Sequence, residues 1–261
     1  MAMLKHLGRI VQIPYMVWAF VWFVVLMVLA AAWAAPVYAI MGAKGQKIMF
    51  PAYKLWARIW FVLCGIRLVV ENKEYINSAQ PAIIAANHSS HLDVLNGALA
   101  SPIMVRALAK VELKKIPVLG YMFQTSSVFV DRSSPESRKR SVERLQRTLN
   151  AGFSLFLFPE GTRNRTQKPL TPFYDGAFRI AILSQRPIVP LVILGATKVI
   201  PMKGISLTPG TIRCKYLPPI PTKGLGESDL NALKSKVFTI MEAELLAQHP
   251  ELYVLSNSAQ D

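Results

Sequence analysis

The sequence predicts an α/β fold: a single globular domain with a mixed, largely buried sheet flanked by helices, joined to hydrophobic N-terminal membrane helices. Three observations lead there. From Ile66 onward, short runs rich in Val, Ile and Phe alternate with stretches of helical periodicity. Such runs are too short for core helices and suit strands covered on both faces. Tyr15 to Met41 carries no charged side chain, enough length to cross a hydrocarbon core of about 30 Å as a helix. No internal repeat or low-complexity linker divides the remainder, so residues 1–65 are expected to be membrane-associated helices and residues 66–261 one globular unit.

The N-terminal run includes Trp18, Trp22 and Trp33, residues suited to the apolar region or its interfaces, and Pro36 is expected to bend or end the helix. Small residues at Ala34, Ala35 and Ala39 resemble a signal-peptide cleavage site, but the apolar run is too long for an ordinary signal core. Tyr53 to Val70 mixes Lys54, Arg58 and Arg67 with Trp56, Ile59, Trp60 and Leu63 at spacings of three and four. That pattern predicts a helix with an aromatic-rich apolar side, either lying at a lipid surface with basic groups on phosphates or packed on the globular core. Lys5 and Arg9 precede the apolar run, whereas Lys44, Lys47, Lys54 and Arg58 follow it. For a single span this charge bias places the globular part in the cytoplasm, at the inner membrane of the cell; a hairpin or shallow insertion leaves both ends on that side.

The expected strands are Ile66–Val70, Ala82–Ala86, Ile103–Leu108, Ser127–Val130, Ser154–Phe158, Ile188–Leu194 and Thr211–Tyr216, and the expected helices Leu92–Ala98, Glu136–Leu149, Ala177–Ser184 and Leu230–Ala247. Ser134 and Pro135 form a start signal for the second helix, the serine as cap and the proline at the first helical position. Val142, Leu145 and Leu149 share its inward side, and Arg140, Arg144 and Arg147 form a basic stripe suited to lipid headgroups, an acidic carrier protein or water. Leu207 to Gly226, with Pro209, Pro218, Pro219 and Pro221, reads as turns around one strand, without a chemical role.

Thirty basic residues against fifteen acidic ones give a formal charge of +15. This suits anionic phospholipid, a phosphorylated substrate or an acidic carrier. Nucleic acid is the competing partner, but zinc-finger spacing, an arginine-rich tail and a recognition motif are all missing, so no nucleic acid is expected. Cys64 and Cys214 are too few and too far apart in sequence for a disulfide scaffold and read as reduced thiols.

Two segments carry the chemistry. Asn87-His88-Ser89-Ser90-His91-Leu92-Asp93 follows the second strand and opens a helix. The separation of His88 and Asp93 does not align them on one helix, yet across a strand–turn–helix junction they can converge, the carboxylate orienting the imidazole. If Ser90 caps the helix, Asp93 instead occupies the acidic position of a capping box. His91 is expected to pack or hydrogen-bond nearby. His88, His91 and Asp93 are conceivable metal ligands, but no second ligand cluster accompanies them, and no metal is expected.

The second segment is Phe158-Pro159-Glu160-Gly161-Thr162-Arg163. Gly161 permits a close turn, Thr162 offers hydroxyl and backbone donors, and Arg163 can clamp a phosphate through two bonds. Glu160 can position Arg163 or a substrate hydroxyl, or pair with Arg163 or Arg165. Arg132, after Val128-Phe129-Val130-Asp131, and Lys110, after the third strand, are candidate additional cations at the same mouth.

These segments resemble the motifs of the glycerolipid acyltransferase family, especially the 1-acyl-glycerol-3-phosphate acyltransferases. His88 to Asp93 is similar to its histidine, four residues, aspartate motif; Phe129 to Arg132 to its second; Phe158 to Arg163 to its third; and Ile188-Val189-Pro190-Leu191 to its fourth. The ordered motifs cover residues 80–195. One departure is Asp175, in Phe173-Tyr174-Asp175-Gly176, where members often carry a basic residue; the change bears on an outer phosphate contact or on acceptor preference.

The resemblance implies transfer of a fatty acyl group to the sn-2 hydroxyl of 1-acyl-sn-glycerol-3-phosphate, forming phosphatidic acid. The donor would be a fatty acyl thioester of coenzyme A or of acyl carrier protein, with no cofactor. His88 and Asp93 would be catalytic, Lys110, Arg132, Glu160, Gly161, Thr162 and Arg163 would bind substrate, and Ile188, Val189, Pro190 and Leu191 would shape the acyl pocket. Backbone donors near Ser89 or Gly161 would meet the developing oxyanion. The partners implied are lysophosphatidic acid, the thioester donor and anionic membrane phospholipids. Acylation of glycerol-3-phosphate or another lysolipid uses the same motifs with a different headgroup pocket. A noncatalytic lipid-binding membrane protein explains the N-terminus and the charge but leaves the paired motifs without a shared purpose.

Overall fold

The computed structural model describes residues 2–131, 133–201 and 206–248. In chain order the elements are α1 (Ala2–Met41), α2 (Gln46–Leu63), β1 (Ile66–Glu71), α3 (Lys73–Ser78), β2 (Ile83–Ala86), α4 (Asp93–Ala100), β3 (Val105–Lys110), α5 (Leu119–Ser126), β4 (Ser127–Val130), α6 (Pro135–Asn150), β5 (Ser154–Leu157), α7 (Gly176–Ser184), β6 (Ile188–Leu194), α8 (Ala196–Val199), β7 (Gly210–Tyr216) and α9 (Leu230–Gln248). All the strands foreseen from the sequence form. The third starts two residues late, leaving Ile103 and Met104 in the loop before it.

The strands make one seven-stranded sheet in the order β1-β7-β6-β2-β5-β3-β4. β6, β2, β5, β3 and β4 run parallel. β7 pairs with β6 in the opposite direction and with β1 in its own. The sheet is therefore mixed, as expected, and its parallel strands end on a common edge, the usual place for a ligand crevice in such sheets.

Strand side chains alternate between two cores. Ile84 and Ala86 of β2 and Phe156 of β5 enter the core shared with α1, α2 and α4. Ile83, Ala85, Leu155 and Leu157 enter the core under α6, α7 and α9. Helices on both faces account for the apolar character of the middle strands. α6 begins as foreseen: Ser134 Oγ accepts the Ser137 amide at 3.1 Å and Pro135 opens the helix. Leu145 and Leu149 are buried.

The N-terminal helices fold back on each other. Trp56 and Trp60 of α2 each stand 5.2 Å from Phe23, edge to face. Their indole nitrogens donate to the carbonyls of Phe23 and Ala19, at 3.3 and 2.7 Å. Both ring and N–H are thus satisfied against α1. Ile59, expected on the same side as these tryptophans, instead faces outward with Ile48, Leu55 and Val62. Pro36 does not end α1, which continues to Met41. Among the described residues one helix segment, Gln12–Met41, is long and apolar enough to cross a membrane. α2 is not a second such segment; it is amphipathic and packs on the same core as the sheet.

Candidate active site

The period-two alternation of β2 sends His88, two residues beyond Ala86, toward the face that carries Ile84 and the N-terminal hairpin. β5 does the same for Phe158, beyond Phe156, so the His88 and Phe158 rings stack at 3.9 Å with planes 13° apart. Phe156 supports Phe158 edge-on at 5.1 Å. The turn is clipped to β6 by Asn87, whose side chain donates to Ile193 O at 3.0 Å and accepts from Ile193 N at 2.7 Å.

His88 Nδ1 lies 3.0 Å from Asp93 Oδ2, and Asp93 is fully buried. The same oxygen accepts the amides of Ser89 and Ser90, each at 2.7 Å. The carboxylate therefore holds the amides of the turn and the imidazole at once; α4 starts at Asp93 itself, after Leu92, so Ser90 is not its cap and the capping-box alternative does not form. With Nδ1 held, Nε2 is the ring atom left for a substrate, and the His88 side chain keeps 17% of its surface accessible.

Glu160 departs from its expected role. It is buried, and it touches neither Arg163 nor Arg165. One oxygen accepts the His88 amide at 2.8 Å; the other accepts the Thr171 amide at 2.9 Å and hydroxyl at 2.6 Å. Burial pushes its carboxyl above the usual range, against the opposing pull of the Thr171 hydroxyl and the two amides. Glu160 is a brace that ties the histidine turn to the Thr171 segment, and its oxygens are occupied before any substrate arrives.

Gly161 takes a left-handed conformation, φ 69°, that turns the chain sharply after β5. Thr162 is exposed beside it. The Arg163 guanidinium contacts His91 Nε2. Burial, and then the charges of Arg163, His88 and Arg165, lower the His91 pKa, with Asp93 opposing. His91 and Arg163 thus meet across the two sequence segments. Lys110 is exposed at the end of β3, on the same sheet edge, two strands or about 10 Å from β2. Arg132 lies outside the described residues.

Of the backbone donors in these two turns, Ser89 N is taken by Asp93, and Gly161 N by Phe158 O at 3.0 Å. The fourth segment lies within the sheet. Ile188, Val189, Pro190 and Leu191 are buried in β6, paired with β2 in the middle of the sheet. Ile188 packs toward the α6, α7 and α9 side, Val189 and Leu191 toward the other. They form sheet core and do not line the cavity beside the site. That cavity, about 270 Å³, is walled by Met16, Phe20 and Phe23 of α1, Trp60 of α2, and Ile200 and Leu207, with His91 at its edge. Leu207 had been read as part of a turn without a role. Asp175 bonds Lys234 at 2.6 Å, an ion pair with α9 that accounts for an acidic residue at this position.

The Acyltransferase family pattern matches residues 67–194, which enclose both motif segments. The 1-acyl-sn-glycerol-3-phosphate acyltransferase alpha of Homo sapiens is 33% identical over 211 residues, covering 79% of this chain and 73% of that protein. The chain belongs to the glycerolipid acyltransferase family. The Homo sapiens 1-acyl-sn-glycerol-3-phosphate acyltransferase beta is 30% identical over 70% of this chain and 66% of its own length. The crystal structure of the 1-acyl-sn-glycerophosphate acyltransferase PlsC from Thermotoga maritima superposes with a TM-score of 0.68 at 23% identity, over 88% of this chain and 97% of that one, and shares the fold. This acyltransferase therefore carries its paired His88 and Asp93 at the carboxyl edge of its parallel strands.

Proposed function

We propose that the enzyme transfers a fatty acyl group from a soluble thioester to the sn-2 hydroxyl of 1-acyl-sn-glycerol-3-phosphate, forming phosphatidic acid at the membrane. The observation that carries this reading is the convergence on one sheet edge of a carboxylate-held imidazole, an arginine 72 residues from the neighbouring His91, and an apolar cavity bordered by that same histidine. A base, a phosphate-binding cation and a hydrocarbon slot are what a lysophospholipid acceptor and an acyl donor require together. The relatives' names support the acceptor assignment.

In the reaction, His88 Nε2 takes the acceptor hydroxyl proton while the oxygen bonds to the thioester carbonyl carbon. Collapse of the tetrahedral adduct breaks the carbon–sulfur bond, and the imidazolium returns the proton to the departing thiolate. Asp93 holds the ring in place and stabilises the transient imidazolium; a positioned base of this kind contributes roughly 10²–10⁴-fold. Arg163, with Lys110 on the same edge, receives the acceptor phosphate, and Gly161 and Thr162 shape the turn that presents it. The hydrocarbon tail runs along Phe20, Phe23 and Trp60, where each buried methylene contributes about 0.8 kcal/mol. The tryptophans Trp18, Trp22 and Trp33 are exposed on α1, as suits a helix seated in lipid, and the basic residues Lys44, Lys47, Lys54 and Arg58 after the apolar run favour a globular part on the cytoplasmic side of the inner membrane. Coenzyme A or acyl carrier protein carries the thioester, and the excess of basic residues suits either anionic donor.

The test is purified enzyme supplied with labelled acyl-coenzyme A or acyl carrier protein and a panel of acceptors: lysophosphatidic acid, glycerol-3-phosphate, lysophosphatidylcholine and monoacylglycerol. Labelled phosphatidic acid from the first acceptor alone, lost in His88→Ala with folding retained, is the expected result. Equal use of the neutral acceptors, or near-normal turnover by His88→Ala, would overturn the assignment.

A further inference from the structure

A second cavity lies away from the reacting groups. It occupies about 340 Å³ between α2 and the loop that precedes β3, within the range of small-ligand sites of roughly 300–1,000 Å³. Lys47, Lys54 and Arg58 supply its charge; Phe50, Ile103 and Met104 supply an apolar wall. α4 carries the chain from Asp93 back to this loop at Ser101, a helix rise of about 12 Å, which separates the cleft from the catalytic edge.

Spacings of seven and four put Lys47, Lys54 and Arg58 on one line along α2. Beside that line runs the outward apolar row Ile48, Leu55, Ile59 and Val62. Lys54 is held at the inner wall: its Nζ donates to Ser101 O at 2.6 Å and stands 5.5 Å from the Phe50 ring centroid. Among the described residues no carboxylate forms an ion pair with Lys47, Lys54 or Arg58. Burial, and then the charges of Arg58 and Lys73, lower the Lys54 pKa, a cost that an anion in the cleft would relieve.

We infer that this cleft is a binding site for the phosphate headgroup of one anionic glycerophospholipid, distinct from the acceptor site. The cations meet the phosphodiester and the adjoining apolar row of α2 meets the acyl chains. A soluble phosphate would match the charge but leave that exposed row uncovered, so the amphiphile accounts for more of the surface. The basic helix face read from the sequence thus becomes a discrete site, and it goes beyond the reaction assigned above.

The experiment is native mass spectrometry of the full-length enzyme in neutral detergent, equilibrated with equal amounts of phosphatidylglycerol and phosphatidylcholine. The enzyme is expected to retain one phosphatidylglycerol about tenfold in preference to phosphatidylcholine, charge-assisted bonds providing the difference. Lys47→Gln/Arg58→Gln, both at exposed positions, should abolish the preference, Lys47→Arg should keep it, and acyl transfer in neutral micelles should be unchanged in each. Equal retention of the two lipids, full retention by the double variant, or displacement of the lipid by equimolar glycerol phosphate or inorganic phosphate would each overturn the inference. Lipid retention is read without turnover, so a failure of the proposed reaction would leave this result standing, and the reverse.

Discussion

Replacing Glu160 with Gln separates a brace from a substrate ligand. The wild-type carboxylate accepts the His88 amide through one oxygen and the Thr171 amide and hydroxyl through the other. Glutamine offers one acceptor oxygen and one NH₂ group. In either amide orientation a donor nitrogen faces a backbone N–H, so His88 or Thr171 loses its partner, at a cost of about 1–3 kcal/mol. The remaining bonds also lose their charge assistance. Against this, removing a buried charge recovers part of the desolvation penalty that raises the Glu160 pKa.

The net loss is expected to be about 1–3 kcal/mol, or a Tm lower by about 2–10 °C for a chain of this size. A displaced His88 turn should lower kcat about 10- to 100-fold, in line with the cost of a small misplacement of a reacting group. The KM for lysophosphatidic acid should stay within about twofold, because no bond to the acceptor is removed. Thermal unfolding followed by circular dichroism, with steady-state kinetics on the same preparation, gives both numbers. An unchanged Tm together with a raised KM at wild-type kcat would refute the brace and restore Glu160 as a substrate ligand.

Three further outcomes follow from the same geometry. Arg163→Ala should raise the KM for a phosphorylated acceptor about 10- to 100-fold, the value of charge-assisted bonds to phosphate, while a neutral acceptor is little affected; acceptor-series kinetics would reveal equal losses if the assignment is wrong. Gly97→Ala should destabilise by about 1–3 kcal/mol, by overpacking, since its Cβ would stand 2.2 Å from Cζ of Phe156. Because Phe156 supports Phe158 and hence the His88 ring, activity should fall with Tm. His91 has a depressed pKa in the fold, so its contribution to stability is present above the ordinary histidine pKa and lost as pH falls through the folded value. Wild type should therefore lose more Tm than His91→Gln on acidification from neutral into that range, and parallel curves would remove His91 from the account.

Much of the fold was legible because the central strands β2, β5 and β6 advertise their own burial. β6 is buried along its whole length, and its unbroken apolar run says so. The start of α6 was readable because Ser134, Pro135 and the helix are contiguous. α3 and α5 were not foreseen. α3 has six residues and α5 eight, with Gly120 inside the latter, so neither develops a clear apolar period. In the site, the pairing of His88 with Asp93 was legible because a strand–turn–helix junction is local. The role of Glu160 was not, since its partners His88 and Thr171 are 72 and 11 residues away.

The seven strands, the longer helices between them, the lipid-suited N-terminal helix and the two chemical segments were legible in the sequence alone, because periodicity and turn chemistry act between near neighbours. Tertiary structure decided which residues wall the apolar cavity, since Phe20, Trp60 and Leu207 meet only after α1, α2 and the loop before β7 have packed. It also decided that Ile188 to Leu191 belong to the sheet core and that Glu160 is occupied by protein donors. An apolar or acidic residue declares in sequence that it needs a partner; only long-range packing selects which one it gets.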